Sequence, residues 1–210
     1  MIAEVDQALS ELVREIPGVP KDVDVVLDAP TKEWAARRNA PTVNLYLYDI
    51  REDLRRRERG FTETRDDRGI VISRAPGPRF FKLSYLVTAW TQRPEDEHRL
   101  LDGLLHALLP YDALPAELVG GTLADTGRPV SLTIALPPPE DRAFADVWSS
   151  LGGELKPSLD VVVTVPTSTG VVFRAGPPVT AGVTAEFGDL ADDAFVEETI
   201  GARAGRTDRG

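Results

Sequence analysis

The segment from Phe80 to Leu109 limits what this chain can become more than any other part of it. Phe80-Phe-Lys-Leu-Ser-Tyr-Leu-Val-Thr-Ala-Trp90 is dense in aromatic, β-branched and apolar residues, which predicts a long strand. Alternation assigns Phe81, Leu83, Tyr85, Val87 and Ala89 to one face. The other takes Phe80, Leu86 and Trp90, diluted by Lys82, Ser84 and Thr88. Pro94 then stands at a first helical position, followed by Glu95, Asp96 and Glu97, where acids suit the helix dipole. Leu100, Leu101, Leu104, Leu105, Leu108 and Leu109 recur at helical spacing. A strand with two usable faces that runs into an amphipathic helix calls for a layered α+β core.

The rest of the chain supplies the other layers. Ile2, Val5, Leu9, Leu12, Val13 and Ile16 form one helical stripe, ended by Pro17-Gly18. Residues 22–27 alternate as a short strand, and Thr31 can cap a short turn before Pro41. Residues 42–50 predict a strong strand with Val43, Leu45 and Leu47 on one face and Tyr46, Tyr48 and Ile50 on the other. A strand over 129–136 stops at Pro137-Pro-Pro139, and a helix over 140–151 buries Phe144, Val147, Trp148 and Leu151. A strand over 159–165 is stopped by Pro166. The expectation is an α+β fold: a single domain over residues 1–165, with a mixed sheet of about five strands and flanking helices. Residues 51–79 interrupt it. There Arg55, Arg56, Arg57 and Arg59 precede Gly60, and Asp66-Asp-Arg-Gly69 reads as the turn of a protruding charged β-hairpin. Residues 166–210 read as an extended, partly disordered tail, with strand character at Gly170–Phe173 and Val179–Phe187 and a disordered stretch from Gly201 on.

Charge and composition exclude several roles. The net charge of -10 disfavours nucleic acid, which needs clustered cations. It is unevenly spread: residues 51–79 hold nine Arg against six acids, whereas residues 186–198 hold six acids and no base. That asymmetry fits docking against an acidic neighbour, or equally a solvated loop of mixed sign. No apolar run approaches the roughly 18–20 residues that span a bilayer. The first residues lack the basic and apolar regions of a signal peptide, and there is no cysteine, so a cytoplasmic protein without membrane insertion is expected. No nucleotide-binding loop or nucleophile elbow is present. His98 and His106, eight residues apart on the leucine-rich helix, would lie about 12 Å apart along its axis, too far to chelate one metal. The pairs Asp22/Asp24 and Asp66/Asp67 lack the further ligands of a calcium loop. Asp189, Asp192 and Asp193 read as a solubilising segment or as a complement to Arg55–Arg59 of another copy, and Trp34, Trp90 and Trp148 as packing residues. No catalytic residue, cofactor or metal is expected.

Four blocks carry a family likeness: Ile2-Ala-Glu-Val-Asp-Gln-Ala-Leu9, Leu27-Asp-Ala-Pro30, Val43-Asn-Leu-Tyr-Leu-Tyr-Asp-Ile-Arg-Glu52, and Leu83–Trp90 followed by Glu95-Asp-Glu-His-Arg-Leu-Leu101. Their order over residues 1–165 resembles the family named for the N-terminal domain of the tail cap, or tail terminator, of phage-tail-like extracellular contractile injection systems. The resemblance implies a non-enzymatic structural protein in an assembled particle. It also implies a homo-oligomer, a hexameric ring that ends the inner tube and holds the last sheath layer, with tube and sheath proteins as partners. It supplies no catalytic residues. Surfaces not explained by a monomer core are the candidates for contacts: Arg55, Arg56, Arg57 and Arg59 toward ring, tube or sheath, and Val171, Val172 and Phe173 as an added edge strand. Two other classes remain: a stand-alone binding adaptor unrelated to a particle, and, less supported, an enzyme using His98.

Overall fold

The computed structural model describes residues 1–136 and 144–176, and the backbone of 183–188 and 195–200. The Pro137–Pro139 stop, the helix start over 140–143, residues 179–182, the acids Asp189, Asp192 and Asp193, and the stretch from Gly201 on lie outside the described residues. The chain divides into a larger unit, Met1–Gly60 with Gly77–Thr169, and a smaller one, Phe61–Pro76 with the chain from Gly170 on.

The larger unit opens with helix α1 (Ile2–Glu15), strand β1 (Asp24–Val26), a one-turn helix α2 (Lys32–Ala35) and strand β2 (Thr42–Glu52). A 3-10 turn (Leu54–Arg56) leads toward the hairpin strands β3 (Phe61–Arg65) and β4 (Val71–Pro76) of the smaller unit. The chain returns as β5 (Arg79–Trp90), helix α3 (Pro94–Leu108), a second 3-10 turn (Ala116–Leu118) and the short helix α4 (Gly121–Ala124). Strand β6 (Ser131–Ile134), helix α5 (Phe144–Ser150) and strand β7 (Leu159–Thr167) complete the larger unit. Strands β8 (Phe173–Arg174), β9 (Val183–Gly188) and β10 (Phe195–Ile200) belong to the smaller one.

The five-stranded sheet has the order β1-β2-β5-β7-β6. β1 runs parallel to β2 and every other pair is antiparallel, so the sheet is mixed, as expected. β5 lies at its centre, paired with β2 along Thr42↔Trp90 to Glu52↔Phe81 and with β7 along Arg79↔Thr167 to Val87↔Leu159. One face is dry. Val43, Leu45, Leu83, Tyr85, Val87, Ala89, Val161, Val163 and Val165 join the inward stripes of α1 and α3 in one buried cluster. Each Val or Leu among them contributes about 1.5–3 kcal/mol by leaving water. Helix α3 carries a glycine, which would weaken an exposed helix. Here a Cβ on Gly103 would stand 3.3 Å from the Gly18 carbonyl oxygen, so the missing side chain lets α3 lie on the turn that follows α1.

The opposite face is more polar. Thr42, Asn44, Ser84, Thr88, Asp160 and Thr164 are all buried on it. The Asn44 side chain donates to the Asp28 carbonyl (2.9 Å), and the Tyr48 hydroxyl donates to Asp160 Oδ1 (2.9 Å). The three tryptophans meet at one end of this face, as packing residues should. Trp34 and Trp90 stack edge to face at 5.2 Å, Trp148 follows at 6.4 Å, and Trp148 is fully buried. Arg38 and Lys156 lie over the Trp34 and Trp90 rings at 4.6 and 4.2 Å.

Two expectations need correction. Ile50 does not share a face with Tyr46 and Tyr48. A register shift between Leu47 and Asp49 lets two residues of β2 oppose Ser84, which returns Ile50 to the level of Leu83 on the helix-covered face. Pro166 does not end β7, which continues to Thr167 with Pro166 opposite Phe80. β6 pairs with β7 only as far as Thr164, so β7 is already an edge there, where a residue without an N–H is tolerated.

In the smaller unit β3, β4 and β8 form a three-stranded antiparallel sheet, while β9 and β10 pair as a separate two-stranded one. The β3–β4 turn is built by Asp66, whose Oδ1 accepts from the Arg68 and Ile70 amides (2.9 and 2.8 Å), and by Gly69 at a φ of 77°. That left-handed conformation selects glycine.

Candidate assembly surfaces

The four expected arginines fall into two groups. Asp53 caps the 3-10 turn through the Arg55 amide (3.2 Å) and so fixes where the run of cations begins. The Arg56 guanidinium lies 4.4 Å above the buried Phe80 ring and donates to Ser131 Oγ (3.3 Å), so it covers the polar face of the sheet. Arg57 pairs with Glu52 (3.3 Å). Arg55 and Arg59 are exposed and have no carboxylate in ion-pair reach among the described residues. Most neighbouring charge is neutralised locally: Arg128 pairs with Glu58 (2.6 Å), Lys82 with Asp53 (3.4 Å) and Arg51 with Asp49 (3.2 Å). Among the described residues the Arg55–Arg59 tract thus keeps two cations, Arg55 and Arg59, without a carboxylate partner rather than forming a broad basic patch.

Val171 and Val172 are exposed and precede β8, whereas Phe173 lies within it. Phe173 pairs with Arg74 of β4, and its ring meets Phe61 of β3 edge to face at 5.7 Å. Both rings are still about half exposed, at 52% and 58%. They form part of a groove of about 660 Å³ whose wall also includes Ile70, Val71, Arg65, Arg74 and Arg174. Glu63 pairs with both Arg65 and Arg74, one carboxylate for two cations. Arg174 has no carboxylate partner among the described residues. Sequence reading did not bring this group together, because its halves lie a hundred residues apart and β8 is only two residues long. The usable signal was two aromatic residues, Phe61 and Phe173, in otherwise polar strands.

His98 is exposed, and the exposed His106 ring sits 3.2 Å from the Asp102 carboxylate one turn earlier, both flanking the leucine stripe. Among the described residues no three His, Asp or Glu converge to hold a metal ion, and no helix is long and apolar enough to cross a membrane. Among the described residues, two groups with shifted titration join elements of the fold. Burial, reinforced by a hydrogen bond to Asp6 (2.7 Å), pushes the Tyr85 phenol well above its usual range. The Thr122 hydroxyl, donating at 2.8 Å, holds the Glu4 carboxyl below the ordinary carboxylate value.

The sequence matches the family of Pvc16 N-terminal domains over residues 4–181. This span takes in all five strands of the larger sheet, the β3–β4 hairpin and β8. The chain belongs to that family. Among solved structures it is similar to the sheath/tube terminator, in the extended state, of the extracellular contractile injection system PVC. That likeness has a TM-score of 0.66 and 24% identity and covers 90% of this chain and 65% of the other. It is similar too to the tube-terminating cap of the anti-feeding prophage, with a TM-score of 0.61 and 24% identity, over 88% of this chain and 62% of that one. The chain therefore spans less than two thirds of the length of either solved protein. No curated protein gives a match.

Proposed function

We propose that this protein is the structural cap, or tail terminator, of a contractile injection system. In that role it forms a ring that ends the inner tube and anchors the last layer of sheath. The observation that carries the reading is the family match over residues 4–181. The likeness to two terminators supports it at the level of fold. The partners on this reading are further copies of the chain, in a hexamer, together with tube and sheath proteins. Assembly takes place in the cytoplasm and involves no catalysis.

Ring closure by identical subunits requires two different surfaces that complement one another. Arg55 and Arg59 are the cations of the Arg55–Arg59 tract available for such contacts, with Arg56 and Arg57 shaping the turn that presents them. Val171 and Val172 lead into, and Phe173 lies within, the short edge strand β8, and their exposed apolar side chains suit a contact with a neighbour. The test is electron microscopy of particles from cells lacking this gene. The reading expects tubes and sheaths of uncontrolled length, or unstable particles. Normal length with full stability would reject it in favour of an adaptor outside the particle.

A further inference from the structure

The chain passes between its two units three times, and each passage falls at a glycine. The larger unit breaks off after Gly60, resumes at Gly77 and ends at Thr169, so that Gly170 opens the last passage. Glycine is only 17 of the 210 residues, and composition does not account for finding it at all three places. Gly60 and Gly170 hold φ angles of 106° and 69°. A Cβ on either would meet nothing within 4 Å among the described residues, so glycine is there for its backbone and not to make room. At Gly77 the reason is the opposite. A Cβ there would stand 2.9 Å from both Cβ and Oε2 of Glu58, whose carboxylate is held by Arg128 (2.6 Å).

The backbone on both sides of these glycines is hydrogen-bonded into sheets. In the larger unit the Asp53 amide donates to the Phe80 carbonyl (2.7 Å), and β7 stays paired with β5 as far as Thr167↔Arg79. In the smaller unit the β3–β4 register opens at Phe61↔Pro76, the residues next to Gly60 and Gly77. β8 joins that sheet at Ser73↔Arg174, and the Phe61–Phe173 ring pair ties its two outer strands together. Large changes of φ and ψ are absorbed by a few residues at the ends of such elements, and glycine resists them least. We propose that Gly60, Gly77 and Gly170 form a hinge about which the β3-β4-β8 sheet turns as one body. Gly77, packed against Glu58, is its pivot, and Gly60 and Gly170 are its swivels. A hinge of this kind does not depend on the cap reading.

The chain has no cysteine, so two introduced ones carry spin labels only where they are placed. Thr64→Cys in β3 and His98→Cys on α3 replace exposed residues, one in each unit. Pulsed electron paramagnetic resonance of the full-length labelled chain reads the distribution of distances between them. A control pair, Glu33→Cys with His98→Cys, lies within the larger unit and is exposed as well. The pair that spans the two units is expected to give a distribution at least about twofold wider than the control. Adding Gly60→Ala and Gly170→Ala drives both positions toward negative φ and should narrow that distribution and move its centre. A spanning pair as narrow as the control overturns the proposal. So does a wide distribution that the two substitutions leave unaltered. Circular dichroism equal to that of the unsubstituted chain shows that the glycine variant is folded, and the comparison of widths needs no glycine variant at all.

Discussion

The five-stranded and the three-stranded sheets of this protein are held together by opposite means. In the five-stranded unit every strand has at least one face in a continuous apolar cluster, and its largest members are almost fully buried. In the three-stranded sheet β3 is exposed along its whole length, and its aromatic residues are half open to solvent. What orders the smaller sheet is the Asp66–Gly69 turn, the bridging of Arg65 and Arg74 by Glu63, and one ring pair. Exposed ion pairs of this kind contribute at most about 1 kcal/mol each. The five-stranded sheet is therefore stabilised by a continuous apolar core, whereas β3 buries little of its surface among the described residues.

The sharpest way to break that contrast is a matched pair of truncations. Leu104→Ala removes a side chain with 0% exposure from α3 and should cost about 2–5 kcal/mol, read from the midpoint of urea unfolding. Phe173→Ala should cost less than about 1 kcal/mol in the same measurement, because half of its ring already meets water. Equal losses would show that the smaller sheet has a core of its own.

Tyr85 gives the next effect. Its hydroxyl is the single polar contact of an otherwise apolar ring position, donated to a carboxylate, so Tyr85→Phe should cost about 1.5–3 kcal/mol. The pH dependence follows from the direction of its shift. The folded state holds the phenol protonated above the ordinary value near 10, so the unfolded state loses its proton first. Stability from this group is fully present below about pH 10 and is lost as pH rises beyond it. Urea midpoints between neutral and strongly alkaline pH should fall for the wild type and be flatter for Tyr85→Phe.

Gly69→Ala should cost about 1 kcal/mol through its left-handed backbone, confined to the hairpin. Hydrogen exchange would report faster opening of β3 and β4 with no change in β5 or β7. Faster exchange throughout the five-stranded sheet would contradict the independence of the two units. Glu4→Gln has the smallest expected effect. The folded carboxyl titrates below its unfolded value because of Thr122, so its contribution exists above the unfolded value and disappears as pH falls through the folded one. The variant should show a shallower loss of stability on the acid side, and an unchanged slope would remove this contact from the account.

The contrast also explains what was legible in the sequence. Leu83, Tyr85, Val87 and Ala89 announce their face because burial enforces a strict period of two, and Leu100, Leu104 and Leu108 do the same for α3. Ile50 was misplaced because a bulge leaves no trace in hydrophobicity: the residues alternate normally while the register slips. Pro166 was misread because its tolerance depends on how far β6 extends, which only the tertiary pairing decides. The groove was hidden for the same reason. Arg65, Arg74 and Arg174 are ordinary surface residues until β8 pairs with β4. Arg56 and Arg128 share the Phe80 ring at 4.4 and 5.9 Å, a contact between distant segments that no local pattern announces.

The central claim is that this chain sits at the end of a tube. It is tested most directly by cryo-electron microscopy of isolated particles that carry an epitope-tagged copy bound by its antibody. The account predicts a label at one end only, on a closed ring of identical subunits seated where tube and sheath stop. Label along the shaft, label at neither end, or particles that lack the chain would contradict it.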